Sequence, residues 1–121
     1  MSGIPVADDV FSEIDVLSFS EVGKILEVPV NKVRQMVRDG HLLAIRRGRD
    51  MVIPEIFLED GDVLKGLTGT ITVLADSGFS ATEMMRWLFA EDSSLVGVTP
   101  INALKTGHIT EVRRRAQAMA F

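Results

Sequence analysis

Apolar residues fall at helical spacing in short segments separated by recognisable turn chemistry. Ser18 and Glu21 stand three apart as a capping box, with Leu17 and Val22 placed as a hydrophobic staple, so a helix is predicted from Phe19. Val22, Ile25 and Leu26 then form one apolar face, and Gly23 has no side chain to keep a crossing helix at a distance. Pro29 ends this helix because it lacks an amide hydrogen and disfavours helical geometry at Val28, yet it suits the first turn of another. In that second helix Val30, Val33, Met36 and Val37 share a buried side, and Asn31, Arg34, Gln35 and Arg38 line the opposite one. Gly40 stands where a left-handed residue closes the helix, and residues 42–46 and 51–53 read as two strands joined by Arg47-Gly48-Arg49-Asp50.

Pro54 and the four residues after it predict a single turn, followed by the polar break Glu59-Asp60-Gly61-Asp62. Beyond it Leu67, Ile71 and Leu74 mark a helix ending near Gly78, against the poor propensity of the β-branched run 70–73. Ser80 and Glu83 form a second capping box, opening a helix through Ala90 in which Met84, Trp87 and Leu88 face a core. Thr99-Pro100 opens a short helix that Gly107 stops, and Thr110 is expected to start the last one, with Val112, Ala116 and Met119 on a common side. The expected fold is mainly α with a small β wing. Residues 1–16 form a tail and lead-in, 17–58 a winged helix-turn-helix, and 59–121 a small C-terminal helical bundle. In the lead-in, Val10, Phe11 and Ile14 have the spacing of a short turn that packs on the module.

Charge is unevenly distributed along this plan. Residues 17–53 carry Lys24, Lys32, Arg34, Arg38, Arg46, Arg47 and Arg49 against Glu21, Glu27, Asp39 and Asp50, so 7 − 4 = +3, whereas the whole chain is −4. Residues 1–15 contain Asp8, Asp9, Glu13 and Asp15 and no basic residue. A helix with Asn31, Arg34, Gln35 and Arg38 outside would by itself suit an ordinary solvated surface. The order of capped helix, tight turn, second helix and Arg-Arg-Gly-Arg hairpin points instead to double-stranded DNA. In that reading Asn31 and Gln35 pair with adenine edges, Arg34 with guanine, and Lys32 and Arg38 with flanking phosphates. Arg46, Arg47 and Arg49 lie along the backbone or reach into the adjacent minor groove.

Composition narrows the alternatives. The chain has 121 residues, 46% of them hydrophobic, which suits one compact domain or two small modules. It has no cysteine, and His41 and His108 lack ligand spacing, so no metal or cofactor is expected. The acidic pairs Asp8-Asp9, Glu59-Asp60 and Glu91-Asp92 sit in breaks, no Ser or Thr has an evident His partner, and the glycines of 61–69 lack a Gly-Lys-Ser/Thr ending. No enzyme is expected. No apolar run approaches the roughly 20 residues of a membrane helix, and the acidic N-terminus is unlike a signal peptide, which predicts a cytoplasmic, nucleoid-associated protein without membrane contact.

Residues 17–53 resemble the winged helix-turn-helix of the MerR and excisionase type. Nearly everything after Val16 resembles a mycobacterial, more broadly actinobacterial, family of DNA-binding proteins that pairs this module with a small C-terminal helical domain. Arg86-Trp87-Leu88-Phe89, Thr99-Pro100 and Ala103-Leu104 are the more specific signature. The resemblance implies transcriptional regulation and a Ser/Thr kinase acting on the N-terminal tail. The first threonine here is Thr68, so Ser2 or Ser12 would be the acceptor. Glu27 departs from the excisionase pattern, which has glycine there, and a positive φ at that position would strain it. An excisionase-like architectural factor is the alternative function. Trp87-Leu88, Thr99-Pro100 and Leu104 to Gly107 are also similar to the C-terminal domain of antitoxins of the Xre and ParS-associated type, a protein-contact surface. Trp87, Leu88, Leu95 and Leu104 are therefore candidates for a protein partner or a homodimer through the C-terminal helices, against the simpler reading that they form the bundle core. Arg113-Arg114-Arg115 reads as a solvated helix face.

Overall fold

The computed structural model describes Phe11, residues 13–95 and residues 97–119, so Ser2, Asp8, Asp9, Val10 and Ser12 lie outside the described residues. The chain divides into two compact units, Met1–Val63 and Leu64–Phe121.

The first unit opens with strand β1 (Val16–Ser18), which runs directly into helix α1 (Phe19–Leu26). Ser18 serves both: it is the last strand residue, and its Oγ accepts the Glu21 amide at 3.0 Å while Glu21 Oε1 accepts the Ser18 amide at 2.8 Å. This reciprocal pair satisfies donors that the first turn would leave unpaired. Helix α2 (Val30–Arg38) follows after a three-residue turn in which Glu27 adopts φ 60°, ψ 46°. Its amide closes α1 by donating to the carbonyls of Gly23 and Lys24. A left-handed Glu costs about 1–2 kcal/mol relative to ordinary helical geometry, which the packed turn holds in place. Gly23 is buried at the crossing, where a Cβ would stand 2.8 Å from the Val28 carbonyl oxygen and 3.7 Å from Val33 Cγ2. After α2, Gly40 (φ 81°) donates to Val37 and His41 to Met36, the double bond that reverses the chain at a helix end.

Strands β2 (Ile45–Arg47) and β3 (Asp50–Pro54) form the wing, and β1 joins them in a three-stranded antiparallel sheet of order β1-β3-β2. The register pairs Leu17 with Ile53, Ile45 with Val52, Arg46 with Met51 and Arg47 with Asp50. A 3-10 turn at Glu55–Phe57 follows. The polar break after it is a small hairpin of β4 (Leu58–Glu59) and β5 (Asp62–Val63), with positive φ at both Asp60 and Gly61 as a two-residue turn of type I′ needs. The first unit therefore extends through Val63. Val22, Val33, Leu42, Ile45, Ile53 and Phe57 are its buried apolar centre.

The second unit contains α3 (Leu67–Asp76), α4 (Ala81–Phe89), α5 (Pro100–Lys105) and α6 (Ile109–Ala118). The β-branched run is tolerated in α3 because the Thr70 and Thr72 hydroxyls donate to the carbonyls of Gly66 and Thr68, at 2.8 and 3.0 Å. That bond also satisfies Thr70, the buried polar residue among the described ones. Ser80 caps α4 and Thr99 caps α5 as their sequence positions imply. Helix α6 begins at Ile109, one residue before Thr110, with His108 at its N-cap and His108 Nδ1 3.0 Å from Thr106 Oγ1. Packing of α3 against α6 buries Leu67, Ile71, Val112 and Ala116.

Two outcomes follow for stability. Gly23→Ala should destabilise the first unit by about 1–3 kcal/mol, because the intruding methyl meets backbone rather than a yielding side chain. Glu27→Gly should stabilise it by up to about 1 kcal/mol, the strain relieved exceeding the added chain entropy. Denaturant unfolding measures both. The Glu83 carboxyl is held below its ordinary range by hydrogen bonds from the Ser80 amide and then the Ser80 hydroxyl, which favour its charged form. Because the folded value is the lower one, this contribution is present above the unfolded carboxylate range and is lost as pH falls through the folded value. Ser80→Ala should move the Glu83 carboxyl titration upward in an NMR pH series and shrink that acid-dependent loss.

Candidate nucleic-acid interface

Helix α2 divides cleanly between core and solvent. Val33 is fully buried and Met36 and Val37 are half-buried, whereas Asn31, Lys32, Arg34, Gln35 and Arg38 are exposed. At about 100° per residue, Asn31, Arg34, Gln35 and Arg38 occupy an arc of roughly 100°, with Lys32 beside it. Arg34 Nη1 donates to Asn31 Oδ1 at 2.9 Å, so this pair is already ordered and directs the guanidinium along the helix surface. The N-cap is Pro29, which makes no side-chain cap bond, and the positive end of the helix is left open.

In the wing the three arginines part company. Arg46 and Arg49 are exposed, and Met51, directly across from Arg46, is 42% exposed. Arg47 is half-buried, and its Nη2 donates to the carbonyl oxygen of Phe11 at 2.6 Å. The cause is strand geometry: side chains alternate faces, so Arg47 shares the side of buried Ile45, while Arg46 points the other way. The sequence contained this signal in the two-residue spacing from Ile45 to Arg47. The clamp itself was not foreseen, because nothing local places Phe11 beside the wing. Among the described residues none of Lys32, Arg34, Arg38, Arg46 and Arg49 is paired with a carboxylate.

The structure thus collects Asn31, Lys32, Arg34, Gln35 and Arg38 on one exposed face of α2, leaves Arg46 and Arg49 in solvent on the wing, and turns Arg47 toward the lead-in. Charge without carboxylate partners among the described residues, planar amides and an uncapped helix start are what phosphate and base edges require.

In the second unit the four apolar candidates fare differently. Leu88, Leu95 and Leu104 are buried, whereas Trp87 is half-buried. Trp87 and Leu95 line a groove of about 380 Å³ together with Pro100, Asp92, Arg115 and Met119. The arginine triplet is not a uniform solvated face. Arg115 reaches Asp92 at 3.0 Å, Glu111 at 3.1 Å and the Ser94 carbonyl at 3.4 Å, tying the loop after α4 to α6. Asp92 is held below its ordinary carboxylate range by hydrogen bonds from the Ser94 hydroxyl and amide, with Arg115 adding to them. Arg113 lies over α3, where a Cβ at Gly69 would collide with its guanidinium, and Arg114 is exposed.

Comparison with known proteins gives concordant results for both units. Residues 3–58 match the family model described as "DNA-binding protein Rv2175c, wHTH domain", and residues 64–120 match "Rv2175c C-terminal domain of unknown function". The chain is 41% identical to the DNA-binding protein Rv2175c of Mycobacterium tuberculosis, an alignment that covers 100% of this chain and 92% of that protein. The NMR structure of Rv2175c superposes with a TM-score of 0.82, covering 90% of this chain and 83% of that one.

Proposed function

The chain belongs to the Rv2175c family, and we propose that it binds double-stranded DNA through α2 and the wing and thereby regulates transcription. The observation that carries this reading is the single exposed face on which Asn31, Lys32, Arg34, Gln35 and Arg38 converge, with no carboxylate partner among the described residues for any of its cations. Membership in a family named for a DNA-binding protein supports the same ligand.

The N-terminal half of α2 enters the major groove. Its uncapped amides point toward a phosphate, and the Arg34–Asn31 pair presents a guanidinium fork and a side-chain amide to neighbouring base edges. Arg34 suits the O6 and N7 acceptors of guanine, and Gln35 suits adenine. Lys32 and Arg38, at the margins of the face, take phosphates on either side, and Arg46 and Arg49 follow the backbone beyond the groove or enter the adjacent minor groove. Phosphate contacts fix the register; the amides and Arg34 read the sequence.

If about four phosphates are neutralised, log affinity should fall with log salt at a slope of roughly −3.5 to −4. Arg46→Ala and Arg49→Ala should each weaken binding to all duplexes and flatten that slope by about 0.9. Arg34→Ala should weaken binding to the preferred site by about 1–3 kcal/mol and relax preference at one base pair. Affinity that ignores all three substitutions would remove the assignment. Selection of bound sites from random DNA at physiological salt tests the regulatory part. An enriched motif is expected, and failure to enrich any would favour an excisionase-like architectural role.

A further inference from the structure

We propose that Arg47 is a positioning residue of the wing rather than a DNA contact: with Phe11 it clamps the lead-in along the sheet and so fixes how Arg46 and Arg49 are presented. The inference rests on the DNA-binding reading above and gives a different role to the wing arginine that the sequence pattern had placed on DNA.

The lead-in is fastened at two places. At the foot of the sheet, the Glu55 amide donates to the Asp15 carbonyl at 2.9 Å, next to the pairing of Val16 with Pro54. At the tip, Arg47, which pairs across the ladder with Asp50, donates to the Phe11 carbonyl, and Phe11 is 1% exposed. From Asp50 to Pro54 the central strand covers about 13 Å at roughly 3.3 Å per residue, and the long Arg47 side chain reaches back from the tip across part of that distance to the Phe11 carbonyl. The Ile14 amide also donates to the Phe11 carbonyl, at 3.4 Å, which places that oxygen under two donors.

The chemistry favours an arginine used for structure. A guanidinium bonded to a neutral carbonyl makes a strong charge-assisted hydrogen bond, and its planar fork reaches the acceptor with little loss of freedom. A lysine at this position lacks that reach and fork. The wing needs such support, because strands of three and five residues around a two-residue loop do not hold their shape alone. Arg46 and Arg49 meet the backbone productively only when the hairpin beneath them is held still.

Salt titrations with a fluorescently labelled duplex of mixed sequence separate the two roles. Arg47→Met should weaken binding roughly three- to tenfold while leaving the salt slope unchanged, since no counterion is released at that position. Arg47→Lys should behave like Arg47→Met, because an ammonium lacks the reach and fork of the guanidinium. In the free protein, amide exchange at residues 46–51 should accelerate in Arg47→Met and stay unchanged in the second unit. A slope flattened by about 0.9, or full rescue by lysine, would make Arg47 a phosphate contact and overturn the proposal. Unaltered exchange at the wing would overturn it as well. If Arg46→Ala and Arg49→Ala also leave affinity and slope untouched, the DNA reading fails instead, and the exchange measurement still decides the clamp.

Discussion

The close crossing of α1 and α2 is the constraint on which the rest depends. Two backbones meet at Gly23 with no room for a methyl group, and the chain between them is reversed by a left-handed Glu27. These local facts leave α2 little choice of orientation. With Val33 fully buried beside Gly23 of α1, the residues on the far side of α2 must face solvent together. The exposed ridge of amides and cations is thus a consequence of core packing, and the strain at Glu27 is a small cost against apolar burial of about 1.5–3 kcal/mol per fully enclosed side chain.

The wing obeys a different periodicity, and the contrast explains its division of labour. On a helix, neighbours three and four apart share a face, so a polar set collects as a patch. On a strand adjacent residues part company, so Arg46 and Arg47 cannot both serve the same surface. One lies opposite exposed Met51, and the other is drawn to the side of buried Ile45 and the Phe11 carbonyl. In this ribbon the basic doublet therefore splits into one exposed charge and one bonded to the lead-in.

Much of this was legible in the residues. The capping boxes at Ser18 and Ser80, the proline at the start of α5 and the apolar spacing of α2 each specify a bond or a face locally, and the corresponding elements begin where they imply. What escaped was non-local or very short. Strand β1 has three residues and shares Ser18 with a helix cap, so no alternation can develop in it. The Asp60-Gly61 hairpin has two residues in each strand and looked like a polar break. The Arg47–Phe11 bond spans 36 positions, which no window of periodicity contains. Arg115 is a similar case: its position in a basic triplet suggested solvent, but Asp92 and Ser94, more than twenty residues earlier, draw it in.

Charge placement carries the last step. A chain of −4 is repelled by a polyanion at long range, and beyond a Debye length of about 8 Å at physiological salt that repulsion is screened. Within that distance a duplex senses the exposed cations Lys32, Arg34, Arg38, Arg46 and Arg49 rather than the net charge of the chain. On the reading proposed above, an acidic protein with a confined basic ridge would have weak affinity for DNA in arbitrary orientations and a useful one only when the ridge is seated. Turning Arg47 inward removes one outward charge, and on the clamp proposal it also stiffens the hairpin that carries the other two. On that proposal the affinity lost from the count of phosphate contacts is offset by the smaller entropy of ordering the wing, and the balance shifts from general attraction toward geometry, the direction that reading a sequence would require.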